Sequence, residues 1–254
     1  MYHKFFRLIY MSCILVFIPL LVNAELSTRD AWDNLKKLLE TGGYKVIGQE
    51  ITVGPDLRIK NVQISSEVDT QTDITFDIGS LDLTKNKDGF ININLPEEIY
   101  VQYLNEDEFG YKTEANILVR ARELDFKVSG KISQVLYQLT ASSAGFALVE
   151  LLDNGVASPD FSAEMEFVLA DVNSTVRVSG VSSIEVISLL SASGASLKGG
   201  LSVLSVPLKL NFQYVMDQLK SSTVSNEPKV SLDEDFELAL TEGFSSTSNF
   251  TFDT

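Results

Sequence analysis

The chain has 254 residues, with 35 Asp and Glu against 20 Lys and Arg, for a formal charge of −15. So acidic a surface repels phosphate backbones and anionic membranes, which excludes nucleic acid as a partner. A hydrophobic fraction of 44% is ordinary for a globular protein and excludes disorder along the whole chain.

Lys4 and Arg7 precede an uncharged run from Leu8 to Val22, and Val22-Asn23-Ala24 offers residues a signal peptidase accepts. Residues 1–24 are therefore expected to be a cleaved signal peptide. Pro19 interrupts the run, which is shorter than the roughly 20 residues a spanning helix needs, so no integral membrane span is expected after cleavage. Cys13 lies inside the run rather than at its end, which argues against a lipoprotein. Removing 24 of 254 residues leaves 230, and takes with it the only His (His3) and the only Cys (Cys13). Loss of Lys4 and Arg7 moves the charge from −15 to −17. A chain without His or Cys has no His general base, Cys nucleophile, Ser-His-Asp triad or disulfide, and nearly every zinc site is closed to it. No catalytic, cofactor-binding or metal-binding residue is predicted, and no enzymatic activity.

Ser27-x-x-Asp30 is a capping box with Asp in place of Glu, and a helix is predicted from it. Ala31, Trp32, Leu35, Leu38 and Leu39 fall on one face, with Trp32 as a core anchor. Gly42-Gly43 ends the helix with a left-handed cap. From Tyr44 the period becomes alternating. Tyr44 to Val53, irregular at Gly48, pairs through Gly54-Pro55-Asp56 with Leu57 and Ile59. The inward parity then slips from odd at Leu57 and Ile59 to even at Val62 and Ile64, which predicts a β-bulge near Lys60-Asn61. Gly79 makes the same slip between Ile74, Phe76, Ile78 and Leu81, Leu83.

Asn86 to Gly89 is a turn, and the strand after it stops at Pro96. Ile99 to Leu104 is expected to pair with Tyr111 to Leu118 across the acidic turn Asn105 to Glu108. A short motif recurs with an offset of 50 residues, from Val128-Ser129-Gly130 to Val178-Ser179-Gly180. It continues through Ile132, Val135 and Leu139 to Ala144-Gly145 in one copy and through Ile184, Val186 and Leu190 to Ser193-Gly194 in the other, which suggests a reused strand pair. Further on, Leu208, Leu210 and Phe212 read as strand, Tyr214 to Lys220 as a short helix, and Ser221 to Lys229 as a polar linker. Phe244, Phe250 and Phe252 alternate to the end, as a final edge strand or a chain cut from something longer. The expected division is 1–24 signal peptide, 25–220 helix plus sheet, and 221–254 linker and terminal strands.

Asp233-Glu234-Asp235 and Asn105 to Glu108 are the densest acidic clusters. Neither has the ligand spacing of a calcium loop, and both are read as solvated turns. Asn173-Ser174-Thr175 and Asn249-Phe250-Thr251 match the glycosylation acceptor pattern.

The run Trp32-Asp33-Asn34-Leu35, Gly43-Tyr44-Lys45-Val46, Leu57-Arg58-Ile59-Lys60-Asn61-Val62, Asp88-Gly89-Phe90, Leu95-Pro96-Glu97 and Val128-Ser129-Gly130 resembles the DUF2125 family of exported alphaproteobacterial proteins. The likeness extends mainly over Ala31 to Gly130. It implies a Gram-negative periplasmic location and a β-rich fold, and carries no catalytic residue. The strand at Lys60-Asn61-Val62 is also similar to strands of AsmA-like envelope proteins, whose curved sheets are implicated in lipid handling.

The expectation is an α+β fold, one N-terminal amphipathic helix packed on a large, twisted, bulged, mostly antiparallel sheet. The expected role is a non-enzymatic binding or structural protein of the envelope, partnered by an envelope protein or lipid. The alternative is a lipid or amphiphile carrier, its groove lined by side chains such as Ile64, Phe76 and Phe90. A carboxylate-based hydrolase, with two buried carboxylates in one pocket, is a further class. An outer-membrane barrel is disfavoured by the early helix and the parity slips.

Overall fold

The computed structural model describes residues 26–69, 71–157, 161–179, 184–203, 208–227 and 245–253. The segment expected to be a signal peptide and the Asp233-Glu234-Asp235 cluster lie outside them.

The helix α1 (Thr28–Thr41) starts at the predicted capping box. Asp30 N–H donates to Ser27 Oγ at 3.1 Å, and Ser27 N–H donates back to Asp30 Oδ2 at 3.0 Å. At the other end Gly43, not Gly42, takes the left-handed conformation, with φ 85 against −76. Among the described residues every later regular element is a strand: β1 (Lys45–Val53), β2 (Asp56–Asp69), β3 (Thr72–Lys85), β4 (Ile91–Asn94), β5 (Glu98–Glu106), β6 (Lys112–Arg122), β7 (Asp125–Lys131) and β8 (Gln134–Asp153). There follow β9 (Val156–Ala157), β10 (Phe161–Ser179), β11 (Ile184–Ala192), β12 (Gly194–Val203), β13 (Leu208–Met216), β14 (Gln218–Glu227) and β15 (Ser245–Asp253).

The α+β expectation is therefore corrected to an all-β architecture. The 14-residue helix, single among the described residues, is too small to form a layer of its own, and it serves as a plug. The helix expected at Tyr214 to Lys220 is also absent. Those residues belong to β13 and β14, because side chains two apart meet a continuous partner strand on each side of Asp217. The stretch read as a linker from Ser221 is strand as far as Glu227.

The fifteen strands resolve into a simple meander. The pairs β4 and β5, β6 and β7, β11 and β12, and β13 and β14 each act as the two halves of one bent strand. β3 pairs β5 through Thr72–Asp77 and β4 through Asp82–Lys85. β8 pairs β7 with its first half and β6 with its second. β10 pairs β12 with its first half and β11 with its second. Each bent strand is thus antiparallel to its neighbours in sequence.

The bends line up as one crease through Asn61 (φ 52), Gly79 (φ 74), Glu123 (φ 51) and Asp171 (φ 45), with Ser193 and Asp217 separating the halves of the later strands. The predicted parity slips at Asn61 and Gly79 are two points on it, and the register shifts there and at Gly48 as expected. A bulge adds a residue on one strand and bends it, so the apolar set stays on the inside of both halves. Inward positions on β10 change from odd (Phe167, Leu169) to even (Val172, Ser174, Val176) across Asp171. Ser193 Oγ donates to Asp171 Oδ2 at 2.6 Å and ties that corner to the next strand.

The crease folds the sheet into two facing walls. The upper wall holds β4, β7, β11, β14, β15 and the matching halves of the long strands, and the lower wall holds β5, β6, β12 and β13 with theirs. Inner faces of both walls feed one core, with Ile59, Leu83, Val128 and Tyr137 from the upper and Val46 and Ile64 from the lower. α1 inserts Trp32, Leu35 and Leu38 into this core at the β1–β3 end. Trp32 Nε1 donates to Glu50 Oε1 at 3.1 Å and Thr28 Oγ1 to Pro55 O at 2.9 Å, which fixes the plug on the first hairpin. The repeat at 50 residues corresponds to two upper-wall hairpins, β7–β8 and β10–β11, whose Val135, Leu139, Val186 and Leu190 are all buried.

Candidate functional site

Directly opposite residues on antiparallel strands share a face, so register alone defines the inner surface of the lower wall. Phe146 lies opposite Phe167, Phe167 opposite Leu197, and Leu197 opposite Tyr214. This apolar row crosses β8, β10, β12 and β13. It is continuous with the core, because Ala144 and Leu169, two positions along from Phe146 and Phe167, pack against the core cluster. The Phe146 and Phe167 ring centroids are 5.5 Å apart, and those of Phe212 and Tyr214 are 5.9 Å apart. Phe212 lies over Gly199, where a Cβ would meet the ring at 2.1 Å, so the missing side chain is the seat for the ring.

Exposure rises along this row. Phe146, Phe167 and Leu197 are half-buried, and on β13 Leu210, Phe212 and Tyr214 are 54%, 44% and 62% exposed. Three large apolar side chains on one inward face, open to solvent, form a patch of the kind that marks a binding surface. On the upper wall, by contrast, the inner face turns to hydroxyls: Ser188 lies opposite Thr223, and Thr223 Oγ1 and Ser248 Oγ are 3.0 Å apart.

The groove lining predicted at Ile64, Phe76 and Phe90 lies at the other end. Ile64 is buried in the same cluster as Trp32, Phe76 packs against that cluster, and Phe90 is half-buried beside the Asn86 turn. That end is sealed. The open row around Phe167 and Phe212 was missed, although Leu210, Phe212 and Tyr214 continue one alternation that signals it.

A shallow depression of about 230 Å³ lies in the lower wall, lined by Leu118, Arg120, Arg122 and Glu166 together with Phe146 and Phe167 of the row. Two of its three charges serve cross-strand pairs: Arg120 Nε donates to Glu98 at 2.9 Å, and Glu166 lies 3.6 Å from Lys198. Glu166 is the one carboxylate in its lining. Among the described residues the buried polar side chains are Ser and Thr, with the Tyr137 phenol, and no cluster of three His, Cys, Asp or Glu is gathered to hold a metal. The Asn105 to Glu108 turn organises itself: Asp107 Oδ1 accepts from the N–H groups of Phe109 and Tyr111 at 2.9 and 2.8 Å. Glu106 sits 2.9 Å from Lys112, whose pKa its hydrogen bond raises. The acceptor pattern at Asn173 falls within β10 with Ser174 and Thr175 buried, and that at Asn249 lies on the edge strand β15.

Tyr137 and Asp82 are also shifted for structural reasons. Burial pushes the Tyr137 phenol well above its ordinary value, because the ionised form would have no solvent. The Arg58 guanidinium, 2.5 Å from Asp82 across β2 and β3, holds that carboxyl below its usual range.

The fold thus defines an all-β class, a meander of bent strands folded along one crease and plugged at one end by a helix. No family model, curated protein or solved structure matches the chain. Among the described residues no helix is long and apolar enough to cross a membrane.

Proposed function

We propose that the chain is a non-enzymatic binding protein of the Gram-negative cell envelope that holds the hydrocarbon part of an amphiphile against the inner face of its lower wall. The observation that supports this reading is the open row of Phe146, Phe167, Leu197 and Tyr214, uncharged and continuous with the core. Hydrocarbon gains about 25 cal/mol for each Å² of apolar surface removed from water, and such a row supplies that surface without desolvating a charge. Aromatic side chains add large contact area with few rotatable bonds. The resemblance to exported envelope families and the charged, apolar, small-residue pattern of residues 1–24 support the periplasmic location. Lys60-Asn61-Val62, the point of likeness to AsmA-like strands, coincides with the crease.

The test is native mass spectrometry of protein purified from its own periplasm, followed by titration of the delipidated protein with oleate. Co-purified amphiphile, and oleate binding that Phe167→Ala and Phe212→Ala each weaken, are expected. A protein that carries no amphiphile and binds no oleate would return the role to a structural one.

A further inference from the structure

The inner face of the upper wall carries a strip of a different chemistry from the aromatic row. Leu190 lies opposite Ser221, Ser188 opposite Thr223, and Val186 opposite Ser225. Val186 and Leu190 are core residues, so Ser221, Thr223 and Ser225 face inward with them. Thr223 and Ser225 are buried, at 6% and 3% exposure. Thr223 is paired with Ser248, whereas Ser225 Oγ is buried with no hydrogen-bond partner. A buried hydroxyl without a partner has lost its hydrogen bonds to water, and a ligand atom that satisfies it recovers that loss.

Resting on the tail-binding reading above, we propose that this strip of hydroxyls is the headgroup subsite, and that it selects an uncharged, hydroxyl-bearing headgroup of the acylglycerol class. The reasoning is one of charge and hydrogen-bond complementarity. Hydroxyls both donate and accept, as glycerol and sugar hydroxyls do. The strip has no cation to compensate a phosphate: Lys220, on the same strand, lies opposite Ser191 on the other face from Ser221. The strong negative net charge of the chain opposes an anionic lipid further. One free acceptor and donor at Ser225, beside a pair already joined at Thr223 and Ser248, offers a hydroxyl-bearing ligand a ready partner inside an apolar enclosure, where hydrogen bonds are strongest.

The experiment compares three lipids with identical oleoyl chains: dioleoylglycerol, its monoglucosyl derivative, and phosphatidylglycerol. Binding to the delipidated protein is read by native mass spectrometry, with oleate as the tail-only probe. The wild type is expected to hold at least one of the two uncharged lipids about tenfold more tightly than phosphatidylglycerol, and which one it prefers separates a glycerol from a sugar headgroup. Ser225→Ala and Thr223→Val are each expected to reduce that preference about fivefold, with oleate affinity unchanged. Ser225→Ala removes an unpartnered hydroxyl, so it keeps the fold, and Ser222→Ala on the outer face of the same strand is expected to leave the preference intact. Equal affinity for all three lipids, or a preference unmoved by both variants, overturns the headgroup assignment while oleate binding keeps the tail site. Failure to bind oleate as well overturns the tail-binding reading itself.

Discussion

The two ends of the folded sheet are built from the same bent strands and the same alternation of apolar side chains, yet one is sealed and the other is open. At the β1–β4 end, Leu57, Ile59, Val62, Leu83 and Ile91 are excluded from solvent beneath Trp32 and its helix. At the β12–β13 end, Leu210, Phe212 and Tyr214 present an equally apolar face to solvent. Alternation decides which face a side chain takes, and the element lying across from that face decides whether it is buried. The helix makes that difference at the first end.

The strongest way to break this comparison is to remove the plug. Trp32→Ala is expected to cost about 3–5 kcal/mol in urea unfolding, since it deletes a large buried ring and its hydrogen bond to Glu50. A cost below about 1 kcal/mol would mean that the helix is a detachable lid. Phe167→Ala, half-buried midway along the row, should fall between the ends at about 1–2 kcal/mol. Tyr137→Phe is expected to raise stability by about 1 kcal/mol, because the phenol is buried without a partner. With its pKa raised on folding, neutral Tyr137 contributes stability that is fully present below the ordinary value of 10.0 and is lost as pH rises above it. Alkaline unfolding curves should therefore move to higher pH in the Phe variant. At the open end, Phe212→Ala should change stability by less than about 0.5 kcal/mol while weakening oleate binding, which separates binding surface from core.

The smallest effect belongs to the outer face. The Asp82 carboxyl, lowered by Arg58, contributes stability that is present above the ordinary carboxylate range and is lost as pH falls through its folded value. Asp82→Asn should flatten the acid limb of the stability curve slightly, as expected for an exposed pair.

Local chemistry was legible where it was local. The capping box at Ser27, the turn at Asn86, the hairpin at Gly54 and the bulges at Asn61 and Gly79 each rest on a few adjacent residues. What escaped was the sum of the bulges. Each slip of parity looked like an isolated repair, because nothing in one strand reveals that its neighbours bend at the same level. The missed strand at Tyr214 to Lys220 has the same origin: Asp217 interrupts the alternation at the crease, and an interruption beside polar residues imitates a helix. The open face was missed because exposure depends on the opposite wall, which sequence does not name.

A meander whose corners all fall on one line is extensible. Each bent strand touches only its neighbours in sequence, so adding one bent hairpin would lengthen the inner surface by about 10 Å, two strand spacings, without disturbing the helix or the crease. The extent of the inner surface is therefore a matter of counting hairpins: a longer one would call for another increment of the same part rather than a new design.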